Sequence, residues 1–384
     1  MIGVVILGTG AIAQVHVDSL LQHSDRCRIR ALCDIRPEKA QALAREKGLA
    51  DVAVHSDYRE AVERSDVDLV CICLPPSLHG RTAVAALHAG KHILLEKPMA
   101  SSLAECDTIL AAGEQAGRRV SVVSQNRFQT SMMRLKDVLD SGLAGRILHG
   151  SVNSYWWRGQ SYYDLWWRGT WENEGGGCTI NHAVHHADLL LWMMGMPQRV
   201  FSYFANLNHH NSETEDYSTS VLAYADGSVA QLNASLVHHG EEQELIFQGE
   251  KARVSFPWSV KASVSRANGF PDDDPVTAAR LQDRYESIAP LAREGHAAQI
   301  GNVLDSIVRE TEPMVDGSAG RRTVELITGI YKSAQSGCAV DFPIDPSDPF
   351  YRSESMIPLM PRFHRKTRSV DDFNADSITL GRKA

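Results

Sequence analysis

Residues 1–13 read MIGVVILGTGAIA, and this stretch decides the fold of the N-terminal part of the chain. The apolar run at 3–8 ends in a glycine turn, and residues 11–23 continue with apolar side chains at helical spacing. The stretch lacks the basic leader and small-residue cleavage site of a secretory signal, so we interpret it as a first strand. A strand, a glycine turn and a helix in this order predict the start of a β/α repeat.

The same alternation continues to about residue 120. The further apolar runs, separated by helix-like segments, are RIRALCD (28–34), DVAVHS (51–56), VDLVCICLPP (67–76), KHILLEKP (91–98) and RRVSVVS (118–124). Nearly continuous Val, Ile and Leu predict a parallel sheet that is buried on both faces. We therefore predict an α/β fold in which residues 1–124 form a doubly wound parallel sheet of the Rossmann type.

The pattern changes after about residue 125. Residues 200–208, 217–236 and 242–256 alternate between apolar and polar side chains, and the Asp-Gly pair at 226–227 marks a hairpin. Residues 125–345 are predicted to form an α+β domain with a large, mainly antiparallel open sheet and flanking helices at 182–194, 295–310 and 320–337. Residues 346–384 show no periodicity and are predicted to form an extended C-terminal arm that lies on a neighbouring subunit.

Length and composition exclude several classes of protein. A chain of 384 residues favours two domains. No apolar run is long enough to cross a bilayer, and a net charge of −8 without a basic stripe argues against nucleic acid as a partner. The seven scattered cysteines favour a reduced, cytoplasmic protein. An open sheet face would expose an apolar patch, so we expect a homo-oligomer, a dimer or a tetramer.

The glycine turn has the spacing of a dinucleotide-binding site. Gly8 permits the tight turn, Gly10 lets the backbone approach a pyrophosphate, and Ala13 allows close packing of helix on strand. Ala11 and Ile12 complete the turn at the helix N-terminus, which attracts an anion. The alternative is a glycine turn without a ligand.

Asp34 ends the second predicted strand, about twenty residues after the turn, where a carboxylate can accept hydrogen bonds from the adenosine ribose. A 2′-phosphate would meet like charge there, which favours NAD. Arg36 could pair with a 2′-phosphate, so NADP stays open as an alternative.

Two further strands end in polar residues or prolines. Pro75 and His79 follow the run at 69–74, and Glu96 and Lys97 follow the run at 93–95. Because ligands of doubly wound sheets lie beyond the carboxyl ends of the strands, we expect these four residues to line the cofactor crevice near the nicotinamide.

Five of the seven tryptophans lie between residues 156 and 171. Flat apolar rings beside glycines suit a loop that covers a polar ring, so Trp156 and Trp167 are predicted to contact a sugar or cyclitol. Core packing or a subunit interface is the alternative.

The segment GGGCTINHAVHHADLLLW (175–192) predicts a buried helix with Asn181, His185 and Asp188 on one face. Asn181 and His185 are therefore predicted to project into a cleft. A histidine can accept an alcohol proton near neutral pH, and an ammonium group nearby can stabilise the developing alkoxide. We predict that His185 and Lys97 have these two roles.

A metal site is the rival interpretation of the same histidines. His182, His185, His186 and Asp188 have helix-compatible spacing, but they lie on different azimuths and the HExxH motif is absent. We therefore predict no metal. His16, which follows the glycine turn, is interpreted as a packing residue.

The motifs GTGAIA, EKP and GGGxxxNxxxHxxDLLxW occur in this order and resemble the Gfo/Idh/MocA oxidoreductase family over roughly residues 1–345. The resemblance implies that Lys97 and His185 flank the reacting carbinol and that Glu96 contacts the cofactor. It also places Asn126 near the nicotinamide or substrate and Arg168 at the active site, and we count both among the cofactor-binding residues.

Many members of that family have aspartate where this chain has Asn181. Asparagine cannot take a proton, which puts an Asp–His dyad in doubt, and Asn181 is predicted to orient the substrate. The tryptophan-rich insert and the DPFY segment (348–351) resemble the scyllo-inositol and pyranose dehydrogenase branch.

The expected function is an NAD(P)-dependent oxidoreductase that transfers hydride between a ring secondary alcohol of a sugar or cyclitol, such as scyllo-inositol or a pyranose, and nicotinamide. An NAD-dependent glycosidase that acts by oxidation and elimination on the same fold is the alternative. A dinucleotide-sensing regulator and a zinc hydrolase are further rivals.

Overall fold

The computed structural model describes residues 1–370, and its first sheet has six strands. They are β1 Ile2–Leu7, β2 Cys27–Cys33, β3 Ala53–His55, β4 Leu69–Ile72, β5 His92–Leu95 and β6 Val120–Val122. All pair in parallel in the order β3-β2-β1-β4-β5-β6. The order reverses between β1 and β4, which is the topological switch point of a doubly wound fold. The predicted α/β class is confirmed.

Helices cover both faces of this sheet. They are α1 Ala11–Leu21, α2 Pro37–Glu46, α3 Tyr58–Val62, α4 His79–His88 and α5 Leu103–Ala116. Every residue of β1 is buried, and its side chains alternate between two hydrophobic clusters: Val4 and Ile6 join one, Val5 and Leu7 the other. The continuous apolar run of β1 therefore follows from a strand with a packed layer on each side.

The second sheet has nine strands. They are β7 Ile147–Tyr155, β8 Arg199–Ala205, β9 Tyr217–Ala223, β10 Val229–Ser235, β11 Gln243–Gly249, β12 Ala252–Phe256, β13 Ser259–Ser265, β14 Pro271–Asp273 and β15 Val340–Asp341. Their order is β14-β13-β12-β11-β7-β10-β9-β8-β15. The β7–β10 pair is parallel and the other pairs are antiparallel, so the mainly antiparallel sheet is confirmed. Gly227, with φ of 83°, lies in the hairpin between β9 and β10.

The remaining helices are α6 Thr130–Asp140, α7 Trp171–Glu174, α8 Cys178–Asn181, α9 Val184–Met194, α10 Pro275–Ser287, α11 Gly295–Arg309, α12 Gly317–Ser336 and α13 Ser353–Met356. Helices α9 and α12 pack on one face of the second sheet, where Leu190 and Ile330 share a core with Val200. Helix α11 packs elsewhere: Ile300 and Leu304 join the hydrophobic cluster of β1. A helix from the predicted second domain thus completes the first core, and the predicted boundaries at 124 and 345 stay a prediction.

Residues 346–370 pack against other parts of the same chain. Two 3-10 turns, Pro349–Tyr351 and Ile357–Leu359, flank α13, and Tyr351, Met356 and Met360 are buried. The structure therefore differs from the predicted extended arm in its first part, since residues 349–359 form short helical turns. The apolar side chains of this part are buried within the same chain. Residues 371–384 lie outside the described residues. None of the helices in the described part of the chain is long and apolar enough to cross a membrane.

Candidate active site

The turn after β1 has the shape that a dinucleotide needs. Gly8 has φ of 87°, and a Cβ there would lie 2.4 Å from the carbonyl oxygen of Cys73 on the neighbouring strand end. A Cβ on Gly10 would meet no atom within 4 Å. Only glycine therefore suits position 8, whereas Gly10 leaves open space at the N-terminus of α1. These residues fit a pyrophosphate held by backbone N–H groups.

Asp34, directly after β2, is held against this turn. Its Oδ2 accepts hydrogen bonds from Thr9 N at 2.9 Å and from Thr9 Oγ1 at 2.8 Å, and its Oδ1 accepts one from Arg36 N at 3.0 Å. A carboxylate offers about four acceptor sites, so lone pairs remain for ribose hydroxyls. The carboxylate is thus fixed at the edge of the crevice where the sequence predicts it.

Lys97 and His185 line one small cavity of about 10 Å³, together with residues at the end of β6 and in α12. Lys97 follows β5, and its Nζ donates a hydrogen bond to the carbonyl oxygen of Asn181 at 3.0 Å. His185 lies in the first turn of α9, four residues after Asn181. The structure therefore brings an ammonium group from the end of β5 and an imidazole from α9 close together.

Both groups have shifted pKa values. Burial lowers the pKa of Lys97 below 10.5, and the neighbouring Glu96 carboxylate opposes this shift. Burial also lowers the pKa of His185 well below 6.5, and the positive charge of Lys97 lowers it further. Near pH 7 the imidazole is therefore neutral and can accept a proton, while Lys97 can still donate a hydrogen bond.

Glu96 is buried beside two histidines that the sequence did not connect to it, and one of them, His16, is hydrogen-bonded to it. His16 Nε2 lies 2.8 Å from Glu96 Oε1, and His296 Nε2 lies 3.9 Å from it. Burial alone would raise the pKa of Glu96, but the hydrogen bond and charge of His16 and the charges of His296 and Lys97 lower it to about 2. The three ligand atoms lie within 4.8 Å of one another. Such a spacing could hold a cation, although the hydrogen bond accounts for the contact without one.

Aromatic side chains of residues 156–171, the aromatic loop, stack with arginines beside His182 and form one wall of the site. The guanidinium of Arg168 lies 4.1 Å from the ring centroid of Tyr162 and 4.2 Å from that of Trp167. Arg158 lies 5.4 Å from Trp156 and 5.7 Å from Tyr162. The tryptophans therefore fall into two groups. Trp156 and Trp167 lie against arginines at this wall. Trp171 is 1% exposed and packs in the core.

Arg168 is paired within the protein. Its Nη1 donates to Glu174 Oε1 at 3.0 Å, and Gly169 N donates to Glu174 Oε2 at 2.5 Å. Burial raises the pKa of Glu174 to about 7, with Arg168 opposing the shift. Arg168 is also close enough to Lys97 to lower the pKa of its ammonium group. The resemblance to the family implies that Arg168 faces the active site; the structure places Arg168 against Tyr162 and Trp167, paired with Glu174.

Comparison with known families identifies both parts of the chain. A profile described as an oxidoreductase family with an NAD-binding Rossmann fold matches residues 2–124, and the GFO/IDH/MocA C-terminal domain matches residues 132–255. The chain belongs to the Gfo/Idh/MocA oxidoreductase family. The fold, the glycine turn and the cofactor class are those of an NAD-binding oxidoreductase, as the sequence predicts.

Three relatives illustrate the Gfo/Idh/MocA similarity. Inositol 2-dehydrogenase of Salmonella typhimurium is 24% identical, covering 70% of this chain and 77% of the relative. A 1-carboxy-3-chloro-3,4-dihydroxycyclohexa-1,5-diene dehydrogenase of Comamonas testosteroni is 31% identical, covering 50% of this chain and 48% of the relative. The crystal structure of the WlbA dehydrogenase of Bordetella pertussis with NADH and UDP-GlcNAcA is 29% identical with a TM-score of 0.78, covering 90% of this chain and 98% of that one.

The glycine–histidine motif of this Gfo/Idh/MocA chain does not form one helix. Helix α8 ends at Asn181 and α9 begins at Val184. The side-chain amide of Asn181 donates to the backbone carbonyl oxygens of Gly176 and Gly177 at 3.2 Å each. The backbone carbonyl oxygen of Asn181 accepts the hydrogen bond from Lys97. The prediction of one helix is therefore wrong for Asn181, which ends α8, whereas His185 and Asp188 both lie on α9 and line the same cavity. The main chain of Asn181, rather than its amide, reaches the lysine.

Asp188, one of the four residues considered above as metal ligands, is paired with an arginine. Arg127 donates two hydrogen bonds of 2.7 Å to the Asp188 carboxylate, and both side chains are buried. Within residues 1–370, the group of three potential metal ligands that lie close together is His16, Glu96 and His296, not the histidines at 182–186. The arginine therefore accounts for Asp188 without a metal.

The remaining predicted cofactor residues lie at the carboxyl edge of the first sheet. His79 Nδ1 lies 2.8 Å from the carbonyl oxygen of Pro98, and His79 Nε2 lies 2.8 Å from that of Leu74. Both ring nitrogens are thus engaged, and His79 braces two strand ends rather than presenting a free nitrogen to a ligand. Pro75 precedes a 3-10 turn after β4, and Asn126 lies in the 3-10 turn Gln125–Phe128 after β6.

His16 and His296 are the residues that sequence reasoning missed. His16 was interpreted as packing, and it is fully buried, but it also holds Glu96. Its position one helical turn beyond the glycine turn was the available signal. No local pattern marks His296, which comes from the first turn of α11.

Proposed function

We propose that this Gfo/Idh/MocA protein oxidises a secondary alcohol on the ring of a sugar or cyclitol, and that the reaction is reversible. The observation that carries the proposal is the approach of Lys97 to the segment that carries His185: Lys97 Nζ bonds to the Asn181 carbonyl oxygen at 3.0 Å, and the two residues line the same small cavity. The neutral His185 accepts the hydroxyl proton, and Lys97 donates a hydrogen bond to the same oxygen as it becomes a carbonyl. The carbinol C–H bond breaks as hydride, and bound NAD supplies the acceptor at nicotinamide C4.

The site residues support a ring substrate. Trp156 and Trp167 lie against the guanidinium groups of Arg158 and Arg168, and the Tyr162 hydroxyl lies 3.1 Å from His182 Nε2. Apolar faces with polar tips suit a ring that carries hydroxyls. Two relatives are named for cyclic alcohols, inositol and a dihydroxycyclohexadiene. Ring dehydrogenation is the reaction that fits these features together.

Substitution of the two reacting groups tests the mechanism. Lys97→Met or His185→Ala should lower turnover by roughly 10²- to 10⁴-fold, the usual range for acid–base groups. NADH affinity, measured by fluorescence titration, should stay nearly unchanged, since neither side chain belongs to the glycine turn. Lys261→Met on the exposed part of β13 is the matched control and should keep full activity. Normal turnover in both site variants would refute the assignment.

A substrate screen tests the reaction class. Inositols and common aldoses are mixed with NAD or NADP, and absorbance of the reduced cofactor is followed. A dehydrogenase accumulates NADH in proportion to substrate consumed. The rival glycosidase recycles its cofactor, so cleavage of a glycoside without net NADH would favour that alternative.

We propose that the protein assembles through the outer face of its second sheet. Four exposed apolar side chains share this face, namely Phe201, Tyr203, Val221 and Val229, with exposures between 40 and 62%. Phe201 and Val221 are directly paired on neighbouring strands. A second copy of the chain is the proposed partner.

The seven cysteines are free thiols, and six of them are buried. We propose a reducing compartment, the cytoplasm, as the location. Fractionation of cells that express the native chain tests this: a cytosolic pool supports the proposal, and recovery from an oxidising compartment contradicts it.

A further inference from the structure

One histidine beside Glu96 has no hydrogen-bond partner in the part of the chain that the structure describes. His296 lies in the first turn of α11, and its Nε2 is 3.9 Å from Glu96 Oε1, which is beyond hydrogen-bond distance. Its ring packs edge-on against that of His16, with the ring centroids 5.4 Å apart. The ring of His296 therefore keeps its donor and its acceptor unused.

The ring of His296 can be reached from the crevice. Its side chain is 14% exposed, and neither of its ring nitrogens is fully enclosed by the protein. His16 differs in this respect, because its Nδ1 is enclosed and without a partner. A ligand at the carboxyl edge of the first sheet can therefore contact His296 directly.

The backbone that carries His296 is fixed to the first sheet. His23, which follows α1, has its Nε2 2.7 Å from the carbonyl oxygen of Ala297. Gln299 Oε1 accepts from Ser124 N at 3.0 Å, and Gln299 Nε2 donates to the last carbonyl oxygen of β6 at 2.8 Å. These bonds hold the first turn of α11 in place, so the imidazole is positioned before a ligand binds.

This position corresponds to the nicotinamide half of a dinucleotide. The turn after β1 fits the pyrophosphate, and Asp34 after β2 fits the adenosine ribose. The other half of the cofactor then extends to the opposite side of the switch point, where β4 and β5 end. Glu96 and Lys97 follow β5, and His296 approaches Glu96 from α11.

The imidazole has the chemistry that a carboxamide needs. Burial lowers the pKa of His296 to about 4, with His16 and Lys97 acting in the same direction and Glu96 against it. Near pH 7 the ring is therefore neutral, and one nitrogen donates while the other accepts. Either nitrogen can pair with a carboxamide, whose NH2 group donates and whose oxygen accepts. A neutral ring also does not repel the positive charge of oxidised nicotinamide.

We propose that His296 hydrogen-bonds to the carboxamide of the nicotinamide and thereby orients the cofactor ring. The binding residue is supplied by a helix of the predicted second domain, whereas the glycine turn and Asp34 come from the first. The inference goes beyond the proposed reaction, because it concerns the cofactor and requires no particular substrate.

Two ligands and one isosteric change test the contact. NADH carries the carboxamide, whereas ADP-ribose lacks the nicotinamide and keeps the pyrophosphate and both riboses. His296→Phe keeps a flat ring without nitrogen atoms, so Kd for NADH should rise about 5- to 10-fold, the effect of one hydrogen bond. Kd for ADP-ribose should change by less than about 2-fold, since no contact to it is lost. Titration calorimetry measures both constants.

A conservative variant separates the hydrogen bond from packing. His296→Gln keeps a donor and an acceptor and should bind NADH within about 3-fold of the native protein. His364→Phe is the control, because His364 also packs edge-on against a histidine, His210, but its backbone is bonded to Ser212 in the loop before β9. It should keep both affinities.

Two outcomes would overturn the inference: an unchanged NADH affinity in His296→Phe, or an equal loss of affinity for NADH and ADP-ribose. Retained binding of ADP-ribose also shows that the variant is folded. Because the titration uses no substrate, its result does not depend on the proposed oxidation of a ring alcohol. Absence of NADH formation from every ring would contradict that function and leave the contact of His296 standing.

Discussion

Glu96 combines full charge with almost complete burial, since 6% of the residue is exposed. Its pKa of about 2 lies below the ordinary value of 4.5, so the carboxylate stabilises the folded state above pH 4.5. That contribution is lost as pH falls through about 2. The same charge favours the ammonium form of Lys97, which burial disfavours. Glu96 therefore links the stability of the strand end to the chemistry of the next residue.

The pH dependence of alcohol oxidation follows from the two reacting groups. His185 must be neutral, and because its pKa is well below 6.5, we expect the acidic limb of kcat/KM below pH 6.5. Lys97 must be protonated, and because its pKa is lowered, the alkaline limb should lie below pH 10.5. Steady-state rates between about pH 5 and pH 10 check this. Glu96→Gln should move the alkaline limb to lower pH, and an acidic limb above pH 6.5 in the native enzyme would contradict the assignment.

Asp34 should determine the choice between NAD and NADP. Asp34→Ser removes an acceptor for the ribose hydroxyls, so kcat/KM with NAD should fall about 10- to 100-fold. NADP should lose less or gain, because its 2′-phosphate no longer meets like charge. Steady-state kinetics with both cofactors measure the shift, and Asp51→Ser, at an exposed carboxylate paired with Arg28, is the control. A native preference for NADP would show that Arg36 dominates.

At the scale of elements, the glycine run before α8 explains how Lys97 meets its acceptor. A Cβ on Gly177 would lie 1.8 Å from the carbonyl oxygen of Glu215, and a Cβ on Gly176 would lie 2.0 Å from the Tyr331 hydroxyl. The buried Glu215 carboxylate accepts hydrogen bonds from Gly177 N and from that hydroxyl, both at 2.9 Å. The glycines thus allow α8 to approach this buried group and hold the Asn181 carbonyl oxygen over Lys97.

Residues 361–370 are hydrogen-bonded to the aromatic loop. Trp166 N donates to the carbonyl oxygen of Val370 at 2.9 Å, and Val370 N donates to that of Asp164 at 2.7 Å. Trp171 Nε1 donates to the carbonyl oxygen of Pro361 at 2.9 Å, and Lys366 Nζ bonds to the loop backbone. Residues 361–370 therefore fix the loop that carries Trp167 and Arg168.

Truncation after Met360 should raise KM for the ring substrate by about 10-fold, because several hydrogen bonds of about 1 kcal/mol each that hold the loop are lost. NADH affinity should change little, since the glycine turn is untouched. A chain truncated after Val370 keeps these contacts and is the control. Determination of KM, kcat and NADH affinity for both chains checks the prediction, and equal KM values would contradict it.

For the whole molecule, the exposed outer face of the second sheet is the surface proposed for assembly. Phe201→Lys with Val221→Lys should convert the proposed oligomer to a monomer, because two charges on paired strands resist burial. Light scattering after gel filtration gives the mass. Val276→Lys, on exposed α10, changes a comparable exposed apolar side chain and should leave the mass unchanged. A native monomer would refute assembly through this face.

The sequence by itself determined the doubly wound parallel sheet, the glycine turn followed by Asp34, the mainly antiparallel second sheet, and Lys97 and His185 as candidates. These features are recorded in local periodicity and turn residues, which act over a few neighbours. The tertiary structure alone decided that His16 bonds to Glu96 with His296 nearby, that α11 completes the first core, that the chain leaves the helix between Asn181 and Val184, and that residues 361–370 support the aromatic loop. The contacts of Glu96, α11 and residues 361–370 join segments far apart in the chain, and local periodicity does not specify which distant segments meet.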